Sequence, residues 1–228
     1  MPDLKITQLT ADASPTVDDL LVLVNDPAGT PGTRRSTVGA VVALADGGGA
    51  LLATLTASNS ASLDFATRNA PGKSGALFQS DYDEYLISLI NFQPATDATQ
   101  PRMRFSTNGG STYDSTSNIY YMSRWNWGPS GSGQQGNFDH LGLIHPSLVL
   151  PNSGNYGFDA SLRVTAPLST TFYKQIFGKT TYRDTQPFFY AEEFSGWYLS
   201  ITAVNAFQVY SSSGNLSVGT GRVYGIVK

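Results

Sequence analysis

Apolar and polar positions alternate with a period of two over much of this chain, in short runs broken by turns. In PRMRFS, Pro101 to Ser106, Met103 and Phe105 alternate with Arg102, Arg104 and Ser106. That is the pattern of a strand with one buried face. Further strands are predicted at SLDFAT, GALFQS, NIYYMSRWNW, LGLIH, FDASLRVTA, FYKQIFGK, FFYAEEF, WYLSITA, AFQVYSS and GRVYGIV. Gly, Pro, Asn and Ser separate them, and helical periodicity is almost absent. EYLISLINF differs in being apolar on both faces: alternation sets Ile87 and Leu89 on one, Leu86, Ile90 and Phe92 on the other. It reads as a central strand, or one whose second face meets another subunit. The pattern predicts a mainly β fold, an antiparallel β-sandwich of jelly-roll-like kind.

The first 45 residues read differently. DLLVLV, Asp19 to Val24, is a buried strand, and NDPAGTPG is a turn. Thr37 is placed to cap a short helix through Ala45. Residues 1–45 bury too little to stand alone and read as a small strand-plus-short-helix docking segment. DGGGA, residues 46–50, reads as a Gly-rich linker, and residues 51–228 as the sandwich.

The loop STNGGSTYD, Ser106 to Asp114, resembles the Asp-box of sialidases and related β-propellers, S-x-D-x-G-x-T-W. Ser106, Gly110 and Thr112 match, whereas Asn108 replaces the aspartate and Tyr113 the tryptophan. The motif occurs once and nothing recurs at blade spacing, so a propeller is not expected. Asn-Gly-Gly reads as a structural turn and a hairpin signal.

Composition narrows the classes. Charged residues make up 14% of 228, against roughly 25% in ordinary soluble domains. The net charge of −3 gives no electrostatic footprint for nucleic acid. Without cysteine there is no disulfide scaffold, thiolate zinc site or thiol catalysis. No apolar run approaches 18 residues, so no membrane insertion is expected, and MPDLKITQLTADASP lacks the pattern of a secretion signal.

Catalytic signatures are equally sparse. The two histidines, His140 and His145, are five apart and on opposite faces of any strand, which disfavours a shared metal. Glu193 with Asp159 or Asp184 is the one carboxylate pairing to consider for glycoside hydrolysis, and nothing singles it out. No nucleophile elbow, P-loop or dinucleotide fingerprint is present. The expectation is a non-enzymatic protein with neither cofactor nor metal.

The opening DLKITQLTADASPTVDDLLVLVNDPAGTPGTRRSTVGAVVAL resembles the leading segment of bacteriophage tail and virion structural proteins. There K-I-x-x-L is followed by D-x-L-x-V-V-x-D-P-x-G-T-P, a basic-Thr strand and a short helix. SASLDF, YDEYLI, FQPATD, STNGGSTYD and AVNAFQVYSSSGNLSVGTGRVYGI resemble phrases of a companion β-domain, in the same order. The agreement is weakest from about residue 120 to 194. The resemblance implies a tail-fibre or receptor-binding virion protein. Residues 1–45 would dock on other tail or baseplate proteins, and the chain would form a homotrimer that leaves its host by lysis.

Recognition of a host-surface glycan is expected in YYMSRWNWGPSGSGQQGNFDH, residues 120–140. Aromatic faces stack on sugar C–H surfaces while amides and guanidinium bind hydroxyls. The candidate residues are Tyr121, Arg124, Trp125, Trp127, Gln134, Gln135 and Asn137, with 128–137 read as a long polar loop. The competing reading buries both tryptophans in the core or a trimer interface. A second candidate is residues 180–194, where Tyr182, Arg183 and Asp184 could reach a glycan, or Phe188 to Tyr190 and Glu192-Glu193 could close a subunit seam. Two other functions stay open: a purely structural baseplate or decoration protein, and a polysaccharide-degrading tail enzyme.

Overall fold

A computed structural model describes residues 20–25, 32–37, 49–129, 131–139, 149–186 and 188–227. The chain divides into two compact units, residues 1–48 and 49–228. In the first, β1 (Leu20–Asn25) and β2 (Gly32–Thr37) form an antiparallel pair, from Leu20 opposite Thr37 to Asn25 opposite Gly32. The apolar run is therefore a strand, and its partner is the basic-Thr segment. The helix expected from Thr37 to Ala45 lies outside the described residues.

The second unit is built from antiparallel strands. They are β3 (Gly49–Ser60), β4 (Ser62–Phe65), β5 (Tyr82–Pro94), β6 (Pro101–Ser106), β7 (Tyr120–Gly128), β8 (Gly131–Asp139), β9 (Phe158–Thr165), β10 (Lys174–Arg183), β11 (Phe189–Tyr198), β12 (Ala206–Ser211) and β13 (Leu216–Val227). Eight form one sheet in the order β3-β13-β5-β9-β10-β11-β7-β8, and three form another, β4-β12-β6. The alternation seen in the sequence supplies one inward face to each sheet. Phe65, Met103, Phe105, Phe207 and Val209 from the small sheet join Tyr85, Ile87, Leu89, Leu162, Val164 and Tyr198 from the large one in a single buried core. Phe105 lies 5.5 Å from Tyr198 across that core. Phe65 stacks on Phe207 at 4.7 Å within the small sheet, and a side chain at Gly221 of β13 would overlap the Phe65 ring.

Several elements differ from expectation. GALFQS is not a strand; it makes one bridge, Ala76 to Thr67, and buries Leu77 and Phe78 as a plug. In WYLSITA, β11 ends at Tyr198 and the rest is irregular. Phe92 is on the same face as Ile87 and Leu89, because pairing with β9 shifts register between Leu89 and Phe92, and Asn91 takes φ 54°. That bulge inserts a residue and returns Phe92 to the core, where it is 1% exposed.

STNGGSTYD is a turn but not a hairpin: β6 pairs with β12, whereas β7 pairs with β8 and β11 in the other sheet. The turn is closed by its own side chains. The Gly110 amide donates to Ser106 Oγ at 3.0 Å, the Thr112 amide to Asn108 Oδ1 at 2.9 Å, and Asn108 Nδ2 to Thr112 Oγ1 at 2.8 Å. Gly109 and Gly110 supply the positive φ values, 73° and 86°. LGLIH, with His140 and His145, lies outside the described residues.

Candidate functional site

Alternation on four adjacent strands turns their odd-numbered residues outward. The register aligns Trp127 of β7, Ala191 of β11, Thr181 of β10 and Asp159 of β9 in one row across the sheet. The next row holds Trp125, Glu193, Lys179 and Ser161. Beyond the first row, on its other side, Arg183 stands opposite Phe189 at the end of the β10–β11 hairpin. The first row, Arg183 and Phe189, together with Tyr156 and Asn155 from the segment before β9, bound an open cleft of about 640 Å³.

The cleft is aromatic and polar at once. Trp127 is 43% exposed and Phe189 64%. The Arg183 guanidinium lies 4.2 Å from the Tyr156 ring centroid, and the Tyr156 ring meets Phe189 edge-on at 5.8 Å. Oδ1 of Asp159 accepts the Asn91 amide at 2.7 Å, so the β5 bulge holds this carboxylate at the cleft end. Gln93 Nε2 donates to the Gly154 carbonyl at 3.2 Å and tethers the segment that carries Tyr156.

Beneath the floor, the inward-facing side chains are fixed. The Tyr182 hydroxyl donates to Glu192 Oε1 at 2.7 Å, and the Tyr182 ring stacks on Tyr190 at 5.6 Å. Burial and the adjacent Asp184 carboxylate push the Tyr190 hydroxyl above its usual pKa, keeping it neutral. Two glycines permit the close packing. A side chain on Gly128 would overlap the Tyr190 ring, and one on Gly157 would overlap the Asn91 backbone.

The structure separates the residues predicted from sequence. Trp125 and Trp127 sit together, ring centroids 6.4 Å apart and 41% and 43% exposed, so neither belongs to the core of this chain. Arg124 is half-buried opposite Phe194, on the inward alternation. Tyr121 lies toward the other end of β7, its ring 5.7 Å from Trp197. Residues 128–137 are not a long loop. The turn ends at Gly131, where β8 begins, and Gln134, Gln135 and Asn137 pair along the backbone with Trp125, Arg124 and Met122. Such a Gly/Ser/Gln run has no apolar alternation to mark it as a strand, and its ladder with β7 rests on backbone hydrogen bonds.

Of the three residues of the second segment expected to reach a glycan, Arg183 lines the cleft with an open side chain. Tyr182 is buried on Glu192, and Asp184 is turned into the hairpin, where Oδ1 accepts the Phe188 amide at 3.4 Å. Glu193 forms an ion pair with Lys179 at 2.6 Å, one row away from Asp159. Asp159 and Glu193 thus share the outward face of the sheet, one row and two strands apart, whereas Asp184 does not. Tyr156 and Asn155 were invisible to strand patterns because they belong to an irregular Asn-Gly-rich stretch, SGNYG, residues 153–157.

Polar groups at an open aromatic surface suit a ligand with both apolar ring faces and hydroxyls. Comparison with protein-family models, curated proteins and solved structures gives no match.

Proposed function

We propose that the protein is a bacteriophage tail-fibre or tail-tip component that binds a host-surface saccharide without chemistry on it. The observation that carries the saccharide reading is the cleft itself. Trp127, Tyr156 and Phe189 present aromatic surface around Arg183, Asp159, Asn91 and Asn155. Aromatic rings stack on the C–H faces of a sugar, while amides, a carboxylate and a guanidinium bind its hydroxyls. Residues 1–45 would dock on neighbouring tail proteins, as the resemblance of the leading segment implies. Copies presented on one particle would multiply weak single-site affinities.

The body is in this reading a jelly-roll variant. First-with-last and second-with-penultimate strands pair, β3 with β13 and β4 with β12, as in a long hairpin rolled into two sheets. The strands β10, β11, β7 and β8 then extend the large sheet and carry the cleft.

A structural role through self-association is favoured by a separate observation. Phe172, Tyr173, Phe177 and Ile201 are exposed at 71, 52, 42 and 53%. Such apolar surface suits a trimer contact.

The test is adsorption of the purified full chain to candidate host cells, with Trp127→Ala and Phe189→Ala alongside. Saturable adsorption by the wild type, lost in both variants with melting temperature unchanged, supports the reading. Adsorption untouched by either variant would remove the cleft from it, and no adsorption by a folded wild type would shift the weight to the structural role.

A further inference from the structure

We infer that the ligand of this cleft is an internal stretch of a linear saccharide chain, about three sugar units long, rather than one terminal sugar; the inference rests on the saccharide reading above. The cleft is a channel, not a cup. Its floor is the row Trp127, Ala191, Thr181 and Asp159, which crosses four strands. Three inter-strand steps make this floor ~14 Å long. The two middle positions are small, so nothing on the floor interrupts the passage.

Both walls are built from the register. On one side the adjacent row carries the Lys179–Glu193 ion pair, at 2.6 Å, on the same face of the sheet. On the other, Arg183 is held over the Tyr156 ring at 4.2 Å.

Neither end is closed. At the Asp159 end the depression continues toward Ile90 and Ser161, sharing Asp159 and Thr181 with the main cleft. At the other end the row runs on from Trp127 to the exposed Ser132 of β8, with which Trp127 pairs. A site for a chain terminus needs an end wall that fits the last residue; this one lets a chain pass at both ends. The strand spacing of ~4.8 Å is also close to the advance per residue of an extended hexose chain. Successive sugars would therefore meet successive positions of the row.

The experiment measures binding of the full chain to immobilised linear oligosaccharides of one to eight residues, covering glucose, N-acetylglucosamine, galactose and mannose series in their common linkages. The variant Ala191→Phe places a ring in mid-floor, and Ser132→Phe obstructs the open end beside Trp127; both positions are exposed, and circular dichroism and melting check the fold. Affinity that climbs about tenfold or more from one residue to three, and falls by a similar factor in Ala191→Phe, is the expected result. Ser132→Phe should weaken only the longer members. Affinity already complete with one residue, or unaffected by Ala191→Phe, overturns the channel while leaving saccharide binding intact. No binding to any saccharide, with the wild type folded, overturns both readings.

Discussion

The Tyr198 hydroxyl donates to Oδ2 of Asp114 at 2.7 Å, tying the Asn-Gly-Gly turn after β6 to β11 of the facing sheet. The same turn is fixed from a second strand. Tyr120 Oη donates to the Asp114 carbonyl at 3.0 Å and accepts the Phe105 amide at 3.0 Å. Burial pushes the Asp114 carboxyl up, but hydrogen bonds from Thr116 and Tyr198 and the Arg104 charge outweigh it and hold the pKa below its ordinary value. With a depressed folded pKa, the carboxylate's stabilisation is present above the ordinary carboxylate range and is lost as pH falls through the folded value. Asp114→Asn should therefore cost ~1–3 kcal/mol at neutral pH, the worth of a hydrogen bond to a charged group. Denaturant melts from pH 7 to pH 3 should show the gap between variant and wild type closing as pH falls. A gap that stays constant over that range would refute the assignment.

Gly128 decides whether the cleft keeps its floor. A methyl there would overlap the Tyr190 ring, and Tyr190 is stacked on Tyr182, whose hydroxyl is committed to Glu192. Gly128→Ala is expected to displace Tyr190 and destabilise by ~1–3 kcal/mol, the usual cost of overpacking. Saccharide or cell binding should fall with it. Gly133→Ala is the control, because its methyl would meet only Asn126 Oδ1, at 3.2 Å. Equal binding by the two variants would show that Tyr190 does not shape the site.

Lys174 is fully buried without a carboxylate partner among its hydrogen bonds. Its ammonium donates to the carbonyls of Ser169 at 2.6 Å and Ser200 at 3.1 Å, clasping two loops at the end of the sheet away from the cleft. Lys174→Met fills similar volume but leaves those carbonyls without their donor, at ~1–3 kcal/mol for each group left unsatisfied. Hydrogen exchange should quicken first in residues 167–173 and 199–203, with binding at the cleft retained. Protection unchanged in both loops would mean that the clasp carries no stability.

Much of the fold was legible because its strands pack one face against a core. Met103 and Phe105, or Leu162 and Val164, announce themselves by alternation, and each is buried as predicted. What escaped had other causes. β8 has no apolar face to read, and the bulge at Asn91 reverses Phe92 without leaving any mark in composition. Phe188 to Tyr190 left a subunit seam open in the sequence, and Phe189 lines the cleft. The Trp125–Trp127 pair was legible as a shared face, but its partners Tyr156, Arg183 and Asp159 come from three other segments, and only the strand register brings them together. Periodicity reports which face a residue takes, not which strand lies beside it.

That bulge supplies the last prediction, since it links the core to the cleft. Asn91 holds φ 54°, a left-handed conformation that asparagine and glycine tolerate and β-branched residues do not. Its amide binds Asp159, while the next residue, Phe92, enters the core. Asn91→Gly should keep the bulge, the Asp159 contact and the melting temperature nearly unchanged. Asn91→Val should cost ~1–3 kcal/mol of backbone strain and weaken ligand binding as Asp159 loses its anchor. Asp159→Ala should weaken binding while leaving the core strand in place. If Asn91→Val melted like the wild type, the bulge would not be the strained element that joins Phe92 to Asp159.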